Sequence, residues 1–384
     1  MPAHDVEGYV GPALRSILAQ GYWRVEVIVI DDASSDRTGA IVARIAARDP
    51  RVRLIRVGFG DPNRARNHGI ERARGEFLGF LDGDDILRAG ALRDLVAALE
   101  ASGSDFAVGS YDRLIGRRRT PPAFWISEAH AEDRRGVDVE SAPEVMVNAV
   151  QWTKLYRRDF WNAAGLSFPE TGGHFQDQLV SARAYATARR FDVLRREVVS
   201  WRVRSDGSSM TQQTVRPRQI ADRFSTAAGA LELLARRSPE VARQRLVQYL
   251  SNDAAIASGD IPRMSADAWA ALRDGLGSIA PPFGVHEVWN EVPAEFKVLY
   301  HFVLADDRAA AQRYIDQGGF RVLDHALIRV GGVPHIKLPY WADDAAAVPV
   351  HLFRAAPREL RAFAARERDQ SASNPGSTSP GHRS

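Results

Sequence analysis

Apolar side chains recur with two different periods along the first 110 residues, and the two alternate. Val25 to Ile30 is a β-branched run ending in Asp31-Asp32, which predicts a buried strand. Ser34, Ser35 and Asp36 then offer helix caps, and Ile41, Val42 and Ile45 mark one face of a helix over Thr38 to Arg48. The alternation continues with a strand over Val52 to Val57, a helix over Asn63 to Arg74 and a strand over Glu76 to Leu81. A helix over Ala89 to Ala101 and a strand over Phe106 to Ser110 complete it. Strands alternating with helices predict an α/β fold, a mixed and mainly parallel sheet flanked by helices. Polar clusters fall at the strand ends, which is the edge where open α/β sheets bind ligands.

The alternation stops at 111–150, where Arg117-Arg118-Arg119 and Pro121-Pro122 predict a long irregular loop. Order resumes with Trp152 to Tyr156, a helix near 177–189, a strand over Val193 to Val203 and a helical pattern from Val215 to about 250. This divides the chain into a domain over 1–214, a mostly helical extension over 215–366 and a disordered tail over 367–384, rich in Ser, Pro and Gly.

Composition narrows the chemistry. The 384 residues contain no cysteine, which excludes disulfides, thiolate metal sites and a cysteine nucleophile. Forty-eight of the 51 basic residues are arginine, but a net charge of +3 is too small to predict a nucleic-acid surface. No apolar run is long enough to span a membrane, and the first residues lack a signal pattern, so a cytoplasmic protein is expected. Arginine-rich helices such as the one around Arg236-Arg237 leave room for peripheral contact with anionic lipid, and a homo-oligomer is left open.

Asp82-Gly83-Asp84-Asp85 packs three carboxylates into four residues. Their repulsion is relieved by a divalent cation such as Mg2+ or Mn2+, which could also bridge a diphosphate; a helix-capping turn is the competing reading. Asp31-Asp32 could accept hydrogen bonds from a base or a ribose, or start a helix. No Gly-x-Gly-x-x-Gly follows the first strand, which argues against a dinucleotide-dependent oxidoreductase. Arg64-Ala65-Arg66-Asn67 opens a helix, where backbone N–H groups and cations favour an anion, although a solvated arginine paired with Glu71 is equally simple.

Taken in order, Pro2-Ala3-His4-Asp5, Ser16 to Gln20, Val29 to Asp36, Ala65 to Ile70 and Ala73 to Asp85 resemble the family 2 glycosyltransferases. That resemblance implies the GT-A fold, a nucleotide diphospho-sugar donor and a bound Mn2+ or Mg2+. By position, it implies that His4 lies against the base, with Ala3 and Asp5 beside it in the nucleotide-sugar site, that Asp32 reads the uracil or ribose with Asp31 beside it, and that Arg66 contacts the nucleotide. Asp82 and Gly83 would flank the ribose and phosphate, and Asp84 would be the metal ligand. Trp152 to Arg158 and Phe168-Pro169-Glu170 resemble the acceptor half. There Gln176 replaces an acid, leaving Asp177 as the general base of an inverting transfer. Arg204 and Ser208 would close over the diphosphate. Members with such extensions build or decorate cell-wall polymers, teichoic acids or surface polysaccharides, which implies a polymeric or lipid-linked glycan acceptor. A degenerate, non-catalytic carbohydrate-binding protein is the alternative. Because a β-branched strand precedes the Pro-Ala segment in the resembled family, and Met1 stands directly before Pro2 here, that first strand is expected to be missing.

Overall fold

The computed structural model describes residues 1–170, 173–204, 215–284, 287–341, 343 and 347–373, with side chains to 369. Contacts divide it into two units, one formed by the described residues of 1–214 and 225–245, the other by 215–224 and the described residues from 246 onward.

The first unit carries β1 (Pro2–Ala3), α1 (Val10–Leu18), β2 (Val27–Asp32), α2 (Thr38–Ala46), β3 (Val52–Val57) and α3 (Pro62–Ile70). After these come β4 (Phe77–Gly79), β5 (Ile86–Leu87), α4 (Ala91–Ser102), β6 (Phe106–Ile115), β7 (Arg118–Thr120), α5 (Phe124–Ala129) and β8 (Arg134–Val137). It continues with β9 (Lys154–Arg157), α6 (Arg158–Ala163), α7 (Asp177–Thr187) and β10 (Phe191–Val203). Helices α8 (Pro217–Arg237) and α9 (Pro239–Gln248) include its last segment.

Strands β1, β2 and β3 form a parallel sheet in that order. All six residues of β2 are buried, as its continuous apolar run requires. Strand β1 is two residues long, in register with Ile30 and Asp31 of β2. A second, mixed sheet runs β4-β9-β6-β10-β5, with β7 on β6 and β8 on β10. Its longest pair, β6 with β10, is parallel and extends from Phe106↔Phe191 to Ile115↔Val203. One apolar core, including Val10, Leu14, Val29, Leu95, Leu99 and Val198, lies against both sheets.

The irregular loop expected over 111–150 is corrected. Strand β6 continues to Ile115, turns at Gly116 with a φ of 60°, and returns as β7, so Arg118 pairs with Ile115 and Arg119 with Leu114. The alternation that marks β6 persists through Asp112 and Leu114, both buried; the run of arginines hides it because β7 is exposed at its start.

The second unit contains α10 (Ala254–Ser258), α11 (Ala266–Ile279), α12 (Ala294–Leu304), α13 (Arg308–Asp316), the hairpin β11 (Leu327–Val330) with β12 (Val333–Ile336), and α14 (Pro357–Ser373). Its core gathers Trp269, Leu272, Val298, Tyr300, Tyr314 and Phe353. Helix α14 enters the segment expected to be a disordered tail; 374–384 lie outside the described residues. Among the described residues no helix is long and apolar enough to cross a membrane.

Candidate active site

The C-terminal ends of β1 and β2 bring Ala3, His4, Asp31 and Asp32 together. Asp32 is 6% exposed, and its carboxylate accepts three backbone N–H groups, from Phe59, Gly60 (3.1 Å) and Asp61 (3.1 Å). It thereby pins the segment between β3 and α3. Asp61 in turn caps α3, accepting from Asn63 N at 2.8 Å, and Pro62 supplies the preset φ of a first helical position. Asp31 accepts from Ser34 N (3.3 Å), lies 3.8 Å from Arg56 Nε, and leaves no room for a Cβ at Gly39. His4 donates through Nδ1 to the Asp32 carbonyl (2.7 Å), which turns its exposed ring outward beside the strand ends. Asp5, at a φ of 46°, accepts from Ser35 N (2.7 Å), Ser35 Oγ and Asp36 N. These bonds hold its carboxyl below the usual range.

Helix α3 and the acidic turn meet across 16 residues of sequence. Arg66 Nη2 donates to Asp82 Oδ1 at 2.7 Å, and its guanidinium lies 5.3 Å from the Phe168 ring. Gly83 presses on β1: a Cβ there would stand 3.0 Å from Val6 Cγ2 and 3.3 Å from the Pro2 carbonyl. A side chain would therefore push the acidic turn off the first sheet. Asp84 Oδ2 accepts from Arg204 Nε at 2.8 Å, and the Asp84 carbonyl accepts from Arg202 Nε at 2.7 Å. Both guanidinium groups lie over the Tyr9 ring, 5.1 and 5.6 Å from its centre. Burial and the neighbouring Asp82 push the Asp84 carboxyl up, with Arg204 opposing them. Burial, then Asp84, raises Asp85 further. The hard carboxylate oxygens of Asp82 and Asp84 are the donor type that Mg2+ or Mn2+ takes. Among the described residues no three His, Asp or Glu side chains could hold a cation unaided, and a diphosphate would have to complete the shell.

Asp177 opens α7. Burial raises its carboxyl, while the positive charges of Arg66 and then Lys154 lower it and Asp82 adds to the rise. The residue before Gln176, Phe175, has a φ of 60°, a conformation that costs free energy away from glycine and clusters at functional sites. Gln176 Oε1 is buried with no hydrogen-bond partner among the described residues. Gln151 Nε2 donates to the Asp177 carbonyl (3.0 Å) and to Ser181 Oγ (2.7 Å), and Tyr156 donates to Gln151 Oε1 (2.8 Å). Beneath it Lys154 is buried, bonded to the carbonyls of Asn148 (2.6 Å) and Val150 (2.8 Å), and burial lowers its ammonium to about 7. Asn67 clamps the neighbouring loop through the Phe168 backbone and Glu170.

Ala3, His4, Asp31, Asp32, Arg66, Asp82, Gly83, Asp84 and Arg204 therefore lie about one edge, and Asp177 opens α7. Asp5 is turned to the backbone of 35–36, and Ser208 lies outside the described residues. Sequence reasoning missed Tyr9, Asn67 and Gln151, and gave Arg202 no role. Only Arg202 carried a signal: spaced two from Arg204, it falls on the same face of β10.

A parallel sheet edge with paired carboxylates, an arginine-bearing helix and a second carboxylate on the mixed sheet defines an α/β domain of the GT-A type. Residues 1–162 match the family model Glycosyl transferase family 2, so this part of the chain is similar to that family. Over 219 residues it is 28% identical to glycosyltransferase EpsJ of Bacillus subtilis (strain 168), covering 56% of this chain and 63% of that protein. Over 226 residues it is 27% identical to poly(ribitol-phosphate) beta-N-acetylglucosaminyltransferase TarS of Staphylococcus aureus (strain MW2), covering 56% of this chain and 37% of TarS. The chain thus spans less than two thirds of the length of both relatives. In fold it is similar to the crystal structure of S. aureus TarS 1-349 in complex with UDP-GlcNAc, with a TM-score of 0.69, 22% identity, and coverage of 88% of this chain and 95% of that one.

Proposed function

We propose that this chain transfers a sugar from a nucleotide diphospho-sugar, a UDP-sugar, to a hydroxyl of a polymeric or lipid-linked glycan, with inversion. The observation that supports the reading is the Arg66–Asp82 pair at 2.7 Å beside the strand ends that carry Asp31 and Asp32, with Asp177 opening α7 in the same unit. The acceptor oxygen attacks the anomeric carbon as the bond to the diphosphate breaks, and its proton passes to Asp177. Arg66 and Arg204 offer charge to the departing diphosphate. Mn2+ or Mg2+ held by Asp84 would neutralise the same charge. The name of TarS, and the UDP-GlcNAc in its crystal structure, support a UDP-sugar donor and a polymeric acceptor. A cytoplasmic location belongs to the same proposal.

Release of UDP from UDP-GlcNAc with Mn2+ tests the reading. Asp177→Asn should lower kcat by at least a hundredfold and leave UDP binding in place. Because burial raises Asp177, the acid limb of kcat should lie above the usual carboxylate range, with activity gained as pH rises through it. A silent carbohydrate-binding domain is the second reading, favoured by Gln176 in place of an acid; it releases no UDP under any condition.

A further inference from the structure

The face of the mixed sheet beside Asp177 carries a feature that the transfer chemistry does not use. Along β6, Tyr111, Arg113 and Ile115 point to one side, and their register partners on β10 are Val199, Trp201 and Val203. Trp152 joins this face, its ring 4.9 Å from that of Tyr111 and set edge-on; Trp201 stands 6.5 Å away on the other side. Arg113 lies 6.0 Å from the Trp201 ring, and its Nε is buried with no hydrogen-bond partner among the described residues. Tyr111, Arg113, Trp152 and Trp201 are each partly exposed, and Ile115 at the end of the row is 50% exposed.

The row starts at the base. Trp152 follows Gln151, whose side chain bonds the Asp177 carbonyl at 3.0 Å. It ends on charge. Arg118 sits across from Ile115 on the same face, and Arg117 precedes it in the turn. Both are exposed and neither has an ion-pair partner among the described residues, whereas Arg119, on the opposite face, lies 3.8 Å from Asp112. Strands lie about 4.8 Å apart, so β7 is roughly 10 Å from β10. A chain of a few sugar units would reach from Asp177 to the hairpin.

We propose that this face is an acceptor track for an anionic glycan: sugar rings stack on Trp152, Tyr111 and Trp201, and acidic substituents meet Arg113, Arg117 and Arg118. Partly exposed aromatic rings offer apolar faces to sugar C–H groups, and unpartnered guanidinium forks match carboxylate or phosphate geometry. The proposal rests on Asp177 being the acceptor-side base, but its test does not need turnover.

Dextran oligomers with and without phosphate groups, and inorganic polyphosphate, are titrated against the full chain, with UDP titrated in parallel. Phosphorylated dextran should bind at least tenfold more tightly than either plain dextran or polyphosphate. Arg117→Ser with Arg118→Ser, on an exposed turn, should reduce it to the level of plain dextran. Trp201→Ala should reduce it to the level of polyphosphate. UDP binding should be unchanged in both variants. Equal affinity for all three polymers, or wild-type affinity in the arginine pair, overturns the track. So does polyphosphate binding as tightly as phosphorylated dextran with no effect of Trp201→Ala. Vesicles containing phosphatidylglycerol form a further arm: arginine-dependent binding to them without polymer binding makes the hairpin a membrane contact and also overturns the track. Failure of UDP release with polymer binding intact would instead remove the transfer reading and leave the track standing.

Discussion

Asp32 is the residue at which a structural and a nucleotide-reading role predict different numbers. Its buried carboxylate holds three backbone donors, Phe59, Gly60 and Asp61, and through Asp61 it anchors the start of α3, the helix that carries Arg66. A hydrogen bond to a charged group contributes about 1.5 to 3 kcal/mol net, and a buried donor left unmade costs about 1 to 3 kcal/mol. The three donors share one carboxylate, so their contributions are not additive. Asp32→Ala should therefore cost about 3 to 4 kcal/mol, not three full bonds. Asp32→Asn can still accept from Phe59 and Gly60 through its carbonyl oxygen, but its amide then faces Asp61 N, donor against donor. It should cost about 1 to 2 kcal/mol. Urea unfolding followed by tryptophan fluorescence, with UDP titrated against each folded variant, measures both roles. The structural reading predicts the order wild type, Asn, Ala in stability, and a UDP affinity that falls with it as the 59–61 segment loosens. A change of less than about 0.5 kcal/mol in Asp32→Ala, with UDP binding lost, would refute the clasp and leave Asp32 as a ligand reader alone.

Gly83→Ala should cost about 1 to 3 kcal/mol through the close approach to Val6 and the Pro2 carbonyl, and should weaken UDP binding by shifting Asp82 and Asp84; unfolding and titration read both, and wild-type values would contradict the packing. In the second unit, burial, with Glu359 adding to it, pushes Glu295 up to about 8, so between the ordinary glutamate value near 4.5 and about 8 the folded state binds more protons than the unfolded one. Stability should fall as pH rises through that window, and Glu295→Gln should flatten the fall; an unchanged slope in thermal unfolding between pH 5 and 8 would refute it.

Features written locally in the chain were legible: β2 from its β-branched run, β3 from its Val, Leu and Ile positions, α2 from its period, and the acidic turn from three carboxylates in four residues. What residue type could not convey was which groups meet. Arg66 finds Asp82 across 16 residues and Arg204 finds Asp84 across 120, pairings that depend on strand order. The arginine hairpin was hidden for a related reason. An exposed edge strand has one side of its pattern erased by solvent, so Arg117 to Arg119 carry the composition of a loop on the geometry of β7. Phe175 shows a further limit, since its φ of 60° is imposed by the surrounding fold and not by any preference of phenylalanine. A buried carboxylate needs hydrogen-bond donors, and Asp32 takes the backbone of 59–61 while Asp84 takes Arg204. Residue type thus marks the site, while the bonds now present show only what a ligand must displace or share. A cation at Asp84 would compete with Arg204 for the same carboxylate oxygen, so Arg204→Gln should change the metal dependence of UDP binding, and an unchanged dependence would refute that competition.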